Sequence, residues 1–454
     1  MFRQALPDRP SLASLRKQAK DLAKAYRAGA SDAVTRVAAV RRRAKKSPTD
    51  HRFTLTDAQH VVAREYGFKS WPRLARYLAL SPRARRLHEL DILFQELPGV
   101  REQKLTLLEL LEREVEALLG AYGARAAASA ALIRFARFGS ERPNEPDDEI
   151  FSEDLTRDQA REAIARWHWF QGWADVRRDA STLVDPLFEA AADAIVAGEA
   201  EALAALVARA PAIVHARSPF GHHATLLQHV AANGIEASRQ WQSPSNAVEI
   251  ARILLRAGAD PNATCEVYGG QSTALTLLIT SGHPAAAGVQ ADLVEVLCRA
   301  GASPNGLEDD GRPLWEAIKS GYTGAAERLV RCGARVDNLL FAAALGDHAA
   351  VKRYFDRAGA LIIDRARDWG KTQLRGLDRD HMLEYALIYA AGCGHRAIVE
   401  FLLSKDPNLA VRGPIWNNTA LEAAEYGGHR TIVALLKPLF KTSRRRRKGG
   451  MEHE

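Results

Sequence analysis

Apolar residues recur along this chain at helical spacing almost from its start. Leu12, Leu15, Ala19, Leu22, Ala23 and Tyr26 fall at three- and four-residue steps, the stripe of an amphipathic helix with Ser11 as N-cap and Gly29 as its stop. A second helix is read in DAVTRVAAVRRRA. A third, TDAQHVVAREYG, is expected to open on Thr56 as cap and to close at Gly67. Phe68 and Lys69 then lead to Ser70, the cap expected for WPRLARYLAL, with Pro72 in its first turn.

The same pattern comes again about a hundred residues later. A shift of 96 lays LRKQAKDLAKAY over LEREVEALLGAY, so that Leu15, Leu22 and Ala25-Tyr26 meet Leu111, Leu118 and Ala121-Tyr122. A shift of 102 lays Ala63-Arg64, Phe68 and Trp71 over Ala165-Arg166, Phe170 and Trp173. The difference of six fits a longer loop in the second copy, around FGSERPNEPDDEIFSED. A duplicated helical module follows, roughly 11–78 and 107–180, within domains bounded at 1–86 and 87–180. In each copy the Phe and Trp after the turn are expected to wedge between two antiparallel helices. The rival is a DNA-reading helix-turn-helix, favoured by the spacing of Ala63 and Gly67 and by basic surroundings. Against it stand Trp169, where the turn glycine should be, and the acidic flanks of the second copy.

From about residue 187 a different unit recurs. STALTLLITSGH with ADLVEVLCRAGASPN, GRPLWEAIKSGY with GAAERLVRCGARVD, and NTALEAAEYGGH with RTIVALLKP each give a short helix, a Gly-containing turn, a longer apolar helix and a Gly-Ala stop. This resembles the ankyrin repeat. Thr273-Ala274-Leu275, Pro313-Leu314 and Thr419-Ala420-Leu421 stand at the start of its first helix. Gly282-His283, Gly394-His395 and Gly428-His429 stand at its end. Gly258-Ala259-Asp260-Pro261-Asn262 and Gly301-Ala302-Ser303-Pro304-Asn305 follow the second helix. The motif's first histidine is replaced by Thr276, Trp315 or Glu422, which puts part of the bonding between repeats in doubt. Leu226, Leu275, Leu314, Leu340, Leu387 and Leu421 are 49, 39, 26, 47 and 34 residues apart. The long steps imply insertions, and the short one a repeat without its β-turn finger. PLFEAAADAIVAGEAEALAALVARAP looks like the N-terminal capping repeat.

The combination of LPDRPSLASLRKQAKDL, DAQHVVAREYGFKSWPRL, FGHHATLLQHVAANG and YGGQSTALTLLITSGH is similar to a group of bacterial ankyrin-repeat proteins with helical N-terminal extensions. The resemblance implies a helical solenoid over 181–440 that binds other macromolecules, and names no partner.

Charge adds a second possibility. The net charge is +8, but residues 1–86 hold 21 Lys and Arg against 6 Asp and Glu, whereas residues 87–440 sum to −11. Residues 11–78 count 16 bases against 5 acids, and residues 107–180 count 10 against 15, so the two copies could dock on each other through charge. Residues 441–454 read as a basic disordered tail. Arg41, Arg42, Arg43, Lys45, Lys46 and Arg444, Arg445, Arg446, Arg447 are the residues best able to touch phosphates. Four cysteines without a Cys-x-x-Cys pair argue against a disulfide framework and a zinc ribbon. With no signal-peptide pattern and no span of eighteen apolar residues, a cytoplasmic protein is expected.

Little chemistry is written in the chain. It has no phosphate loop, dinucleotide fingerprint, His-Glu-x-x-His or Gly-x-Ser-x-Gly, so no enzyme activity, cofactor or metal is expected. His222, His223 and His229 with Cys265 could surround a metal, but hydrogen bonding between repeats explains such histidines better, His283, His395 and His429 included. NEPDDE at 144–149 lacks the spacing of a calcium loop and reads as a solvated loop. ARWHWFQGW carries more tryptophan than one hairpin buries, so part of it faces a neighbouring module or a partner. The reading is therefore an all-α protein, a duplicated helical module followed by an ankyrin-type solenoid, acting as a protein-binding scaffold. Tyr268, Gln271, Asp309, Arg312, Trp416 and Asn417 are the expected contacts, exposed and free of packing duty. A nucleic-acid-associated protein, holding phosphates with its basic head and tail, is the alternative.

Overall fold

The computed structural model describes residues 11–43, 53–66, 68, 71–79, 94, 104–137, 145–231, 235, 239, 243–267, 270–362 and 379–450; of these, 41–43, 72, 73, 76, 79 and 441–450 are described in backbone only. The chain divides into two compact units, Met1–His229 with Asn233–Asn246, and Val230–Ala232 with Ala247–Glu454. The fold is mostly helical.

In the first unit, α1 (Leu12–Arg27), α2 (Ser31–Arg43), α3 (Leu55–Glu65) and α4 (Trp71–Ala79) form the first module. The expected second copy falls on α5 (Leu107–Gly123), α6 (Ala127–Ala136), α8 (Arg157–Trp167) and α9 (Trp173–Arg178), with α7 (Asp147–Ile150) in the longer connection. Shifts of 96 and 102 bring the starts of the two sets of helices within one residue of each other. Ser11 caps α1 as expected, but α3 starts on Thr54 rather than Thr56. Thr54 wins because Asp57, three residues on, returns a hydrogen bond to the cap's own N–H, and in the second copy Thr156 and Gln159 do the same. Ala19, Leu22, Val61 and Val62 fill one core, with Leu15, Ala63, Phe68 and Leu74 in a smaller cluster; Val115, Leu118, Ala163, Ile164 and Ala165 fill another. Ser70, the cap expected for α4, lies outside the described residues.

The acidic run of the second copy is solvated in part, since Pro146, Asp148 and Glu149 are exposed, but it turns as the short helix α7 and its other carboxylates are drawn to arginines. Glu145 is buried and pairs with Arg137 at 2.7 Å, Asp147 pairs with Arg134, and Asp148 with Arg125. Arginines before, within and just after α6 answer the carboxylates, a match between separate segments that the run itself does not announce. Residues 182–184 then pair with 105–107, through Leu107 N–H to Thr182 O at 2.8 Å and Val184 N–H to Leu105 O at 2.9 Å. Next come α10 (Pro186–Ala197) and α11 (Ala200–Arg209), the expected capping pair, opened by Asp185 and Pro186. Arg239, from the insertion after residue 233, ties back to Glu189 and Asp193. The helix α12 (Leu226–Ala231) follows the capping pair in sequence.

The second unit is a repeat array. Its first helices are α14 (Ala274–Thr280), α17 (Arg312–Lys319), α19 (Leu339–Ala344), α21 (Met382–Gly392) and α23 (Ala420–Tyr426), and each stacks on the next. The second helices are α13 (Ala247–Arg256), α16 (Gln290–Arg299), α18 (Thr323–Arg331), α20 (His348–Lys352), α22 (Arg396–Leu403) and α24 (Arg430–Gly450), with the short α15 (Gly282–Ala286) before α16. A hairpin of β1 (Thr264–Val267) and β2 (Gly270–Thr273) supplies a finger. The step from Leu314 to Leu340 carries no hairpin, as its shortness implied. Thr273 and Thr419 cap their helices, Thr276 bonds Thr273, and Glu422 closes a capping box with Thr419, so the residues replacing the motif histidine serve their own helix starts. The tail does not begin at 441: α24 runs on to Gly450, because its Lys and Arg residues extend a helix already nucleated by packing.

Candidate protein-binding surface

The repeats are joined by polar rungs on both sides of the array. Asn262 Nδ2 donates to Gly301 O at 2.8 Å while its Oδ1 accepts from Ser303 N–H at 2.9 Å; Asn305 Oδ1 accepts from Arg335 N–H at 2.9 Å. At the other end, His395 Nε2 donates to Ala344 O at 2.8 Å and His429 Nε2 to Gly392 O at 2.9 Å. Each imidazole caps the carbonyl end of the preceding first helix. Gly346 and Gly394 have φ +77° and +86°, and a Cβ on either would stand 2.7 or 2.6 Å from the next repeat's imidazole. Gly-His is thus a two-part device: the histidine bonds backward, and the glycine leaves room for the histidine that follows. Burial holds the His395 imidazole below its ordinary pKa, against the pull of the Ala344 carbonyl. His283 departs from the pattern, standing in α15, where burial also lowers its pKa.

Between these rungs, first helices share an aromatic core. Trp315 stacks on Phe341 at 6.2 Å and tilts against Tyr389 at 5.7 Å, all three buried. Beside it the connection ahead of α23 sends Trp416 back to α17, where its indole N–H donates to Lys319 O at 3.1 Å. Trp416 remains 64% exposed and Ile415 40%. Asn417, at φ +47°, accepts from Arg412 Nε through its O and Oδ1, at 2.6 and 3.2 Å.

Of the expected contacts, Gln271 is exposed on β2 opposite Glu266, and Trp416 stands open to solvent. Asp309 and Asn417 are exposed but have structural duties, Asp309 through an ion pair with Arg335. Arg312 is half-buried as the first residue of α17, with its N–H on Asp310 Oδ1 at 2.9 Å. Tyr268 lies outside the described residues. The phosphate-binding candidates divide likewise: Arg41, Arg42 and Arg43 end α2 and Arg444, Arg445, Arg446 and Arg447 lie along α24, both in backbone only, while Lys45 and Lys46 lie outside the described residues.

Sequence reasoning missed a second contact region, in the first unit. Here the finger Arg217–Thr225 lays its tip on the turn between α8 and α9. Phe220 stacks on His168 at 4.3 Å and 19°, His222 stacks on Trp169 at 4.9 Å, and Gly221 N–H donates to His168 O at 3.0 Å. His168 Nε2 in turn donates to Glu114 Oε2 at 2.6 Å, both side chains buried. Trp169 holds φ +65°, a left-handed conformation unfavourable for a bulky residue, against the His222 and Phe135 rings. The turn therefore survives the loss of its glycine, and ARWHWFQGW finds a neighbour inside the chain. The signal was present in FGHHATLLQHV, as an aromatic-glycine pair beside the tryptophan cluster.

No protein-family model matches the chain, nor does any curated protein sequence. The chain is similar to the ankyrin repeat domain of human ASB11. The likeness is 23% in identity and covers 55% of this chain and 97% of that one, with a TM-score of 0.30.

Among the described residues, no three His, Cys, Asp or Glu gather to hold a metal and no helix is long and apolar enough to cross a membrane. A cavity of about 370 Å³ between α16 and α18 is lined by Glu295, Cys298, Arg299, Arg328, Arg331 and Cys332. Its arginines are already paired, Arg299 and Arg328 with Glu295 and Arg331 with Glu327. Burial and the neighbouring Cys332 thiol push Cys298 up to about 12, so it offers no thiolate at neutral pH.

Proposed function

We propose that this chain is a protein-binding scaffold or adaptor, without catalysis, that works through its repeat array. The observation that carries this reading is Trp416. A tryptophan 64% exposed beside Ile415 is a large apolar surface in water, yet its indole is fixed by the Lys319 carbonyl. A pre-positioned aromatic gives up little rotamer freedom on docking, which is why such residues dominate binding energy at interfaces. Gln271 on the finger adds an exposed polar contact. The test is capture of the tagged full chain from nuclease-treated cell lysate, set beside Trp416→Ala. A protein that survives nuclease and is lost, by about tenfold or more, with Trp416→Ala supports the reading. Proteins that disappear with nuclease and are indifferent to Trp416→Ala transfer it to the basic head and tail as a phosphate-binding surface, whose affinity must then fall steeply with salt.

A further inference from the structure

The two helices that enclose the cavity between α16 and α18 each bring a cysteine to it, Cys298 and Cys332. We propose that these two thiols are a redox-modification site, closed into a reversible disulfide by a low-molecular-weight disulfide of the glutathione class, and that the bond staples two neighbouring repeats. Register brings the pair together. Both helices end alike: Ala302 N–H donates to Leu297 O at 3.0 Å and Ala334 N–H to Leu329 O at 2.9 Å, with Gly301 and Gly333 before them at φ +98° and +100°. Counted back from those glycines, Cys298 stands at the third position, within α16, and Cys332 at the first, as the C-cap of α18. Cysteines at the same position of stacked repeats would point the same way. A stagger of two residues turns one by about 200° relative to the other, so that each faces its neighbour. The helices pack on one another, and the Cys298 thiol donates a hydrogen bond to Cys332 Sγ. Arg328 to Glu295, and Arg335 N–H to Asn305 Oδ1 at 2.9 Å, cross the same junction, so the approach of the two helices is held without help from the sulfurs.

Position also sets the order of the chemistry. Both cysteines are free and half-buried, so each keeps a face toward solvent in a cavity of about 370 Å³. Cys298 holds its proton at neutral pH, so the first attack belongs to Cys332. The Cys332 sulfur loses its proton, bonds to one sulfur of oxidised glutathione and expels the other half, which leaves as a thiol with that proton. The Cys298 sulfur then attacks Cys332 Sγ, and its own proton departs with the second glutathione. Two protein thiols are oxidised to one disulfide, and one reagent disulfide is reduced to two thiols. A bond with a face toward solvent stays open to reduction, which separates it from a permanent cross-link.

The test treats the full, folded chain with oxidised glutathione near neutral pH and maps it, unreduced, by peptide mass spectrometry. The expected product is a cross-linked peptide pair carrying Cys298 and Cys332, with no glutathione retained and both thiols recovered on adding dithiothreitol. Because the bond closes a loop in the unfolded chain, the oxidised protein should unfold at a urea midpoint higher by about 0.5 M or more. Cys298→Ser should stop at the first step, with glutathione left on Cys332, and Cys332→Ser should leave Cys298 unmodified. The map of the unsubstituted chain decides the matter even if a variant fails to fold. The proposal is overturned if glutathione stays on Cys332 of the unsubstituted chain, if neither thiol is consumed, or if the bond joins Cys265 or Cys393 instead. It also fails if the mapped bond leaves the urea midpoint unchanged or lowers it, since a staple between native neighbours must stabilise them.

Discussion

At the scale of single residues, the Gly-His pair shows how a short motif does two jobs at once. Gly394→Ala places a methyl group against the His429 ring and forces a left-handed backbone on a residue with a Cβ. A loss of about 2 kcal/mol or more in urea unfolding is expected, and a loss of a few tenths would show that the ring simply moves aside. His395 supplies a pH dependence. Its folded pKa lies below the ordinary 6.5, so the unfolded chain takes up a proton first. The contribution of this site is present above about pH 6.5 and is lost as pH falls through the folded value. Melting between pH 7 and pH 5 should therefore drop, and His395→Gln, which keeps a donor for Ala344 O, should lessen that drop.

At the scale of elements, most helices were legible because apolar spacing reports burial directly. Leu15, Leu22, Leu111, Leu118, Leu275 and Leu314 were all picked out by period and are all buried. The helices of the expected duplication were legible for the same reason, and shifts of 96 and 102 carry α1 onto α5 and α3 onto α8. What escaped was pairwise. Thr54 and Thr56 are equally good caps in isolation, and only the reply from Asp57 decides between them. NEPDDE looked solvated because its arginine partners come from other segments. The docking of Phe220 on His168 joins residues 52 apart in sequence with no shared period, so no periodic pattern could announce it. Among the expected binding residues, Gln271, Asp309, Trp416 and Asn417 are exposed but Arg312 is half-buried, and the duties of Asp309 and Asn417 depend on Arg335 and Arg412, which no local pattern announces.

At the scale of the whole molecule, the break between compact units falls within the repeat array and not at residue 181, where the composition of the chain changes. Two fastenings explain this. Residues 182–184 pair with 105–107, and the finger tip covers His168 and Trp169. A fragment ending at 180 loses both and leaves a buried histidine-glutamate pair open to water. It should melt well below a fragment ending at 246, the difference read by circular dichroism; equal melting would mean that the second module is complete without the finger.

The bond from Trp416 to Lys319 spans 97 residues, while most contacts in a stack of repeats join neighbours. Such stacks can grow from any point along their length, but a closure of this span must wait until the intervening helices are in place. Refolding followed by tryptophan emission should accordingly show a late phase from Trp416, absent in Trp416→Phe, after the helical signal has recovered. A single phase shared by both probes would mean that the closure forms together with the stack.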